Sequence, residues 1–249
     1  MRRVALFASG GYTEVGGIAH FLRRISSGVS YIRLFPAVRK PAPKKGLDFP
    51  APVEEHSGVT GDRLVSKMIL SLKNSLRHGD EYDAVLLIDD GDCRFSDESS
   101  LREWSANVEK RLHEEAGFSR PFFALIASPE VETWLCADWD NSFGTEYPQD
   151  IQRRMRNEAS RQRIVSDNEA SELFGMPQKD GGGCSRKLSE LLQKIIFDIS
   201  ESSRSFSYSK RVEGQAMLKR ISPEKVAEKC RLFFRPALFK LREWLTIGR

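Results

Sequence analysis

The 249-residue sequence lacks the long apolar run that a membrane-spanning helix requires. Such a helix needs about 20 consecutive apolar residues, and no segment of the chain comes near that length. Close to the N-terminus, the apolar run at residues 4–8 is also too short for the hydrophobic region of a signal peptide. We therefore expect a cytoplasmic protein with no membrane partner.

Cysteine and histidine are both scarce, with four residues of each. The cysteines stand singly and form no CxxC pair, which argues against zinc ribbons and dithiol redox motifs. A disulfide framework is not expected in a chain of this length. The histidines are equally isolated, and His20 and His113 fall in predicted helices, so a histidine-based metal site is not expected either.

The chain also has no GxxxxGK[ST] phosphate-binding loop, because the segment from Gly181 to Lys187 lacks the required spacing. Neither sign of charge dominates, and the net charge is only +4. The basic residues are nevertheless uneven: one group lies in the first 45 residues and a second at residues 153–163. Each group is either a solvated face or a surface for nucleic-acid phosphates or an acidic partner.

What is present is an alternation of strand and helix patterns in the first half. Apolar, β-rich runs predict strands at residues 4–8, 29–35, 82–90 and 121–127. Helical spacing between them predicts helices at residues 13–25, with Thr13 as N-cap, 61–76 and 97–117. This order is typical of an α/β fold with a mostly parallel sheet of about four strands flanked by helices. The Pro- and Lys-rich segment 36–52 is an expected exposed loop.

The pattern changes after about residue 140, where no further strand is evident. Helical stretches are predicted at residues 150–174, 185–200 and 222–246, with a glycine turn at 181–183. We expect residues 1–140 to form an α/β core. Residues 141–249 would then be a helical extension packed on that core, in one compact unit.

Acidic residues follow three of the four predicted strands: Glu14, then Asp89, Asp90 and Asp92, then Glu130 and Glu132. Ligands of open parallel sheets bind outside the carboxyl ends of the strands, so these acids are expected to meet. In Asp90-Gly91-Asp92 the glycine lets two carboxylates turn toward one hard cation, and Mg²⁺ prefers such oxygen ligands. The alternatives are a plain turn for Asp-Gly-Asp and helix N-terminal acids elsewhere.

The order and spacing of these motifs resemble a TOPRIM-type domain, the Mg²⁺-binding fold of topoisomerases, primases and OLD-family nucleases. More specifically, the chain resembles the prokaryotic TOPRIM-like family known as domain of unknown function 4276. The similar segments touch most of the chain, at residues 11–14, 86–93, 130–138, 184–188, 208–214 and the helix from Phe234 to Leu245.

The resemblance implies Mg²⁺ (or Mn²⁺) held by Asp90, Asp92 and Glu14, with Glu132 completing the catalytic acids. It implies a metal-dependent nuclease, a hydrolase of DNA or RNA, in a prokaryotic antiviral defence or mobile-element system. A separate ATPase subunit is the implied partner, and a homo-oligomer is compatible with the sequence. The residues expected to contact nucleic acid are Arg153, Arg154, Lys187 and Lys210.

One residue departs from the family's pattern. The first turn in the family reads Glu-Gly-x-Thr-Glu, and here Gly10 stands in place of the leading glutamate. This change favours a second hypothesis, a non-catalytic partner or sensor subunit of an ATPase complex. Trp104 or Trp139 would anchor its interface, unless both pack in the core. Nucleotidyl transfer, as in primases, ranks last because no separate nucleotide site is apparent.

Overall fold

The computed structural model describes residues 1–9, 11–36, 58–166, 170–176, 184–200 and 206–247, except for the side chains of Tyr12, Val15 and Ser200. Gly10, most of the predicted loop at 36–52 and the predicted turn at 181–183 lie outside these residues. Within them, no helix is both long enough and apolar enough to cross a membrane.

Four strands form one parallel sheet, which confirms the predicted α/β fold. They are β1 (Arg2–Ala8), β2 (Val29–Phe35), β3 (Ala84–Asp90) and β4 (Phe122–Ala127), in the spatial order β2-β1-β3-β4. All three pairings are parallel. β3 is buried on both faces along nearly its whole length, as its uninterrupted apolar sequence predicts.

The three helices predicted between the strands are also present: α1 (Tyr12–Ile25), α2 (Gly61–Arg77) and α3 (Glu98–Ala116). The Asp97 carboxylate accepts a hydrogen bond from the Ser100 N–H at 2.8 Å and begins α3. Gly117, with φ +69°, ends that helix. Thr13 is not the N-cap of α1, because the helix begins at Tyr12 and its N-cap is Gly11. The Thr13 hydroxyl instead donates to the Lys210 carbonyl at 3.1 Å.

The second half is helical, as predicted. Its helices are α4 (Glu132–Ala137), α5 (Phe143–Glu146), α6 (Gln149–Arg161), α7 (Leu188–Ser200), α8 (Gln215–Arg220), α9 (Pro223–Lys229) and α10 (Phe234–Thr246). A 3₁₀ turn lies at Trp139–Asn141, and a π-helical turn at Lys210–Gly214 leads into α8.

Two predicted helices of this half are wrong in length. The stretch 150–174 ends at Arg161, where Arg163 takes a positive φ of 58° and Val165 then pairs antiparallel with Ala170. The stretch 222–246 is interrupted between α9 and α10. There the buried Glu172 carboxylate accepts the N–H groups of Leu232, Phe233 and Phe234 at 2.6–3.1 Å, which starts a new helix.

Apolar cores lie on both faces of the sheet. One core packs α2 and α3 against one face, and a larger core packs α1 and α4 together with the helices of the second half against the other. The larger core includes Trp139, which is 4% exposed and therefore unsuited to anchoring an interface. Trp104 is partly buried, with its ring 5.4 Å from that of Phe95.

Helices α1 and α8 approach each other closely because α1 carries two adjacent glycines. A Cβ atom at Gly17 would lie 2.7 Å from Leu218 Cβ, and one at Gly16 would overlap the Gln215 side chain. Side chains at these two positions would therefore push α8 away. The contact holds the π-helical turn before α8 at the carboxyl end of β1.

A disulfide joins Cys93 to Cys184, although the scattered cysteines predict none. The two residues are 91 positions apart in sequence, and the fold brings their Cα atoms to 5.2 Å. The spacing of the cysteines along the sequence does not indicate this pairing. Cys136 and Cys230 are buried free thiols.

We expect the Cys184→Ser variant to lose about 4 kcal/mol of unfolding free energy without reductant, because the cross-link restricts a long loop in the unfolded chain. Urea denaturation followed by circular dichroism measures the loss. With dithiothreitol present, the wild-type protein should fall to the stability of the variant. Equal stability of the two proteins without reductant would show that the bond does not form.

Candidate active site

Buried acids meet at the carboxyl edge of the sheet, as the positions of the predicted strands suggest. Glu14 lies in the first turn of α1, Asp90 ends β3, and Glu130 and Glu132 follow β4. Desolvation and the charges of Glu14 and Glu132 raise the pKa of Asp90 well above its ordinary value. The three carboxyls of Glu14, Asp90 and Glu132 therefore act as one electrostatic group, here called the acid cluster.

Glu14 is 2% exposed and approaches the backbone of the preceding turn. The Ser9 hydroxyl donates to Glu14 Oε1 at 3.2 Å. A Cβ atom at Gly11 would lie 2.3 Å from Glu14 Oε2, so a side chain at that position would displace the Glu14 carboxylate. Burial raises the pKa of Glu14 to about 7, and the neighbouring Glu132 adds to the increase. A carboxyl with this pKa exchanges its proton near neutral pH.

Asp90 connects the end of β3 to the segment that follows β4. Its Oδ1 accepts the Val131 N–H at 3.0 Å, immediately before α4. The next residue, Gly91, donates its N–H to the Ala127 carbonyl at 2.7 Å. A Cβ atom at Gly91 would lie 2.9 Å from Ser128 Oγ, so glycine allows this close contact. The Asp90 carboxylate is thus held by the Val131 N–H, and the main chain that follows it is held against the end of β4.

Both carboxylate oxygens of Glu130 accept hydrogen bonds. The carboxylate accepts the Leu188 N–H at 3.0 Å, the Ser189 hydroxyl at 2.6 Å and the Lys210 ammonium at 2.8 Å. Burial raises the pKa of Glu130, but the Lys210 charge and these hydrogen bonds outweigh it and hold the pKa below its ordinary value. Glu130 is therefore a charged anchor with no oxygen left for a ligand.

Glu132 is fully buried, but only one of its two carboxylate oxygens has a partner among the described residues. Its Oε1 accepts the Tyr208 hydroxyl at 2.9 Å and lies 3.4 Å from Lys210 Nζ. Its Oε2 is buried and has no hydrogen-bond partner among the described residues. Burial raises the pKa of Glu132. A buried carboxylate oxygen without a donor is costly, which suits an oxygen that receives a ligand or a proton.

Lys210 brings a positive charge from the second half of the chain. It begins the π-helical turn before α8, a type of turn frequent at functional sites. Its carbonyl accepts the Thr13 hydroxyl, and Gly214 lets the turn approach Thr13, because a Cβ there would lie 2.6 Å from Thr13 Oγ1. Burial lowers the pKa of Lys210, but the charges of Glu132 and Glu130 outweigh it and raise the pKa. The amine therefore stays protonated.

Asp89 lies in a different environment. Side chains alternate along β3, and Asp89 accepts the Gly61 N–H at 2.9 Å and Arg94 Nη2 at 2.6 Å at the start of α2. Burial raises the pKa of Asp89 to about 6, and the charge of Asp92 contributes to this increase. No hydrogen bond or ion pair joins the Asp92 side chain to the acid cluster or to any other described residue. Asp92 itself has a positive φ of 45°.

Of the predicted nucleic-acid contacts, Lys187 and Lys210 lie near the acids, and Arg153 and Arg154 do not. Lys187 is exposed and directly precedes Leu188, which binds Glu130. Arg154 donates to the Ile199 carbonyl at 3.4 Å, near the opposite end of α7. The rise from Leu188 to Ile199 is about 16 Å along the helix. Arg153 is exposed at that same remote end.

The donor set suits a hard divalent cation. All candidate ligands are carboxylate oxygens, Lys210 forms ion pairs with Glu130 and Glu132, and Glu132 Oε2 has no hydrogen-bond partner among the described residues. In the parts of the chain that the structure describes, no three His, Cys, Asp or Glu side chains are arranged to hold a metal by themselves. Mg²⁺ is usually bound in proteins by one or two carboxylates together with water and substrate phosphate.

Comparison with protein families adds one assignment. A family profile described as Domain of unknown function (DUF4276) matches residues 11–235, a span that includes the whole acid cluster and Lys210. The chain belongs to the DUF4276 family. No curated protein and no solved structure is significantly similar to it.

Sequence reasoning missed several parts of this DUF4276 site. It chose Glu132 over Glu130 only through the family resemblance, and it gave no role to Tyr208 or Ser189. A signal for Tyr208 existed, since Tyr208-Ser209-Lys210 is one of the segments that carry the family resemblance. Nothing in the local sequence indicates that Leu188 and Ser189 bind Glu130, because the contact joins residues 58 and 59 positions apart.

The raised pKa of Glu14 predicts a pH-dependent stability. Folding favours the protonated carboxyl, so this stabilisation is complete below the ordinary pKa of 4.5 and is lost as the pH rises through about 7. In metal-free buffer, the wild-type protein should therefore lose about 2–3 kcal/mol relative to Glu14→Gln between pH 5 and pH 8. Urea denaturation of both proteins with EDTA measures this. Parallel pH curves would mean that the Glu14 carboxyl is not desolvated.

Proposed function

We propose that this DUF4276 protein is a Mg²⁺-dependent nuclease whose α/β core is related to TOPRIM domains. The observation that carries the proposal is the acid cluster: three desolvated carboxyls on the carboxyl edge of a parallel sheet. Such a cluster is unfavourable without a cation or bound protons. Hydrolysis of a phosphodiester uses a divalent ion at a site of this kind.

The order of the acids along the chain supports the TOPRIM relationship. An acid follows β1, an Asp-Gly-Asp sequence follows β3, and further acids follow β4. Gly10, where the family has its leading glutamate, lies outside the described residues. Glu14, the second glutamate of the family's pattern, remains at the end of β1 and belongs to the acid cluster. An acid therefore still follows each of the three strands.

In the proposed mechanism, Asp90 and Glu14 would hold Mg²⁺, and Asp92 is the third ligand that the resemblance implies. Glu132 would be a further ligand or the base. A bound Mg²⁺ would activate water and stabilise the charge that develops on the phosphoryl oxygens. Glu132 or Glu14 takes the proton of the attacking water, a role that suits carboxyls whose pKa is raised by burial. Water oxygen bonds to phosphorus, the bond to the leaving oxygen breaks, and that oxygen takes a proton from solvent.

Nucleic acid would approach from the side of Lys187 and Lys210. Arg153 and Arg154, at the far end of α7, would contact the backbone only of a longer substrate. The resemblance to OLD-type nucleases supports a setting in prokaryotic defence or mobile-element biology, with the ATPase on a separate polypeptide. A cytoplasmic location belongs to the same proposal.

A second candidate is a non-catalytic partner or sensor subunit of such an ATPase. One observation favours it: Lys210 already compensates Glu130 and Glu132 without a metal. Loss of the family's leading glutamate at Gly10 points the same way. In that case the acid cluster would be a structural remnant of a catalytic site.

Cleavage of plasmid DNA, single-stranded DNA and RNA with Mg²⁺ or Mn²⁺ tests the proposal. We expect Asp90→Asn and Glu132→Gln each to reduce the cleavage rate by about 100-fold or more, because each removes a charge from the acid cluster. Asp92→Asn, tested alone, decides whether Asp92 is a ligand.

The matched control is Asp198→Asn, which neutralises an exposed acid near the remote end of α7. It should cleave at the wild-type rate. No metal-dependent cleavage by the wild-type protein, alone or with a co-expressed ATPase, would favour the non-catalytic subunit. Equal cleavage by wild type and Asp90→Asn would point to a contaminating nuclease.

A further inference from the structure

We propose that Lys210 is the resident counter-ion of the acidic site: its ammonium competes with the divalent ion for Glu132 and moves to the substrate phosphate when that ion binds. The competition depends only on the acids themselves. The transfer to phosphate rests on the proposed nuclease function.

The first step concerns where the ammonium sits. Lys210 Nζ lies 2.8 Å from Glu130 Oε2 and 3.4 Å from Glu132 Oε1, so one charge serves two carboxylates. Glu130 is the closer partner, and its carboxylate is held in place by the first turn of α7. Glu132 is the weaker partner and has a second, unpartnered oxygen among the described residues. Glu130 can therefore retain the ammonium while Glu132 releases it.

The second step concerns what can move. The backbone of Lys210 is fixed, because Thr13 binds its carbonyl and Gly214 packs the π-helical turn against α1. The lysine side chain has a flexible four-carbon stem. It is 32% exposed, whereas the Glu132 side chain is fully buried. The ammonium thus lies between the buried acids and solvent, on the side from which a substrate phosphate must approach.

The third step is the charge balance. Without a metal, one lysine faces Glu14, Asp90, Glu130 and Glu132, which favours the ammonium close to Glu132. A divalent ion at the acid cluster would repel the ammonium. A phosphate above the ion would attract it. The metal and Lys210 therefore exclude each other at Glu132 but cooperate on a bound phosphodiester.

This arrangement predicts that removing the lysine charge strengthens metal binding. Lys210→Met should bind Mn²⁺ about tenfold more tightly than the wild-type protein, since the competing charge is gone. Isothermal titration calorimetry and the electron paramagnetic resonance signal of free Mn²⁺ measure the affinity. A lysine with a purely structural role predicts the opposite, weaker binding from a loosened site. The matched control, Lys219→Met on exposed α8 surface, should bind Mn²⁺ as the wild-type protein does.

The transfer is tested with a phosphorothioate oligonucleotide that resists cleavage. With Mn²⁺ present, Lys210→Met should bind this oligonucleotide about tenfold more weakly than the wild-type protein. Without metal, the two proteins should bind it equally. Lys210→Arg should restore the metal-dependent binding, because it restores the charge. Lys210→Gln serves in place of Lys210→Met if the latter does not fold, as judged by thermal unfolding.

Unchanged or weaker Mn²⁺ binding by folded Lys210→Met overturns the counter-ion role. Tighter Mn²⁺ binding with unchanged oligonucleotide binding overturns the transfer to phosphate and leaves the counter-ion role supported. Neither readout requires cleavage. Failure of the nuclease proposal, seen as absent cleavage by the wild-type protein, is therefore distinguishable from failure of this inference.

Discussion

Buried carboxylates must find donors, and in this protein they find them at the beginnings of helices. Asp89 accepts the first N–H of α2, Glu130 the first N–H of α7, and Asp90 the N–H that precedes α4. Glu172 accepts three N–H groups at the start of α10. These N–H groups have no partner within their helices, and the partial positive charge there favours an anion. The acids thereby determine where four helices begin.

The same requirement explains why the acids of the site differ from one another. Glu130 has enough donors to hold its pKa below the ordinary value. Burial raises the pKa of Glu14, Glu132 and Asp89, but Asp89 alone of these three has an arginine beside it. Glu14 and Glu132 share the sheet edge with Asp90. Chemistry is therefore expected where the fold leaves carboxyls under-compensated, and structural roles where it does not.

Sequence patterns predicted the sheet well because its strands are short apolar runs bounded by turns, and β3 in particular begins with five consecutive apolar residues. The convergence of the acids followed from the parallel order of the strands. The left-handed backbone at Asp92 did not follow, because a DxD pattern does not reveal it. The break before α10 and the partners of Glu130 arise from residues about 60 positions away, which no local periodicity records.

The Cys93–Cys184 disulfide gives the molecule a closed covalent ring. The ring contains α3, β4 and α4 to α6, and therefore also Glu130 and Glu132. When a single peptide bond inside the ring is cut, the disulfide still holds the two pieces of the chain together. A protease acting between residues 94 and 183 would therefore yield a nicked molecule whose mass increases only by one water. The two pieces would separate only after reduction. In an oxidising medium, a cut in this region would leave the acidic edge in one covalent piece.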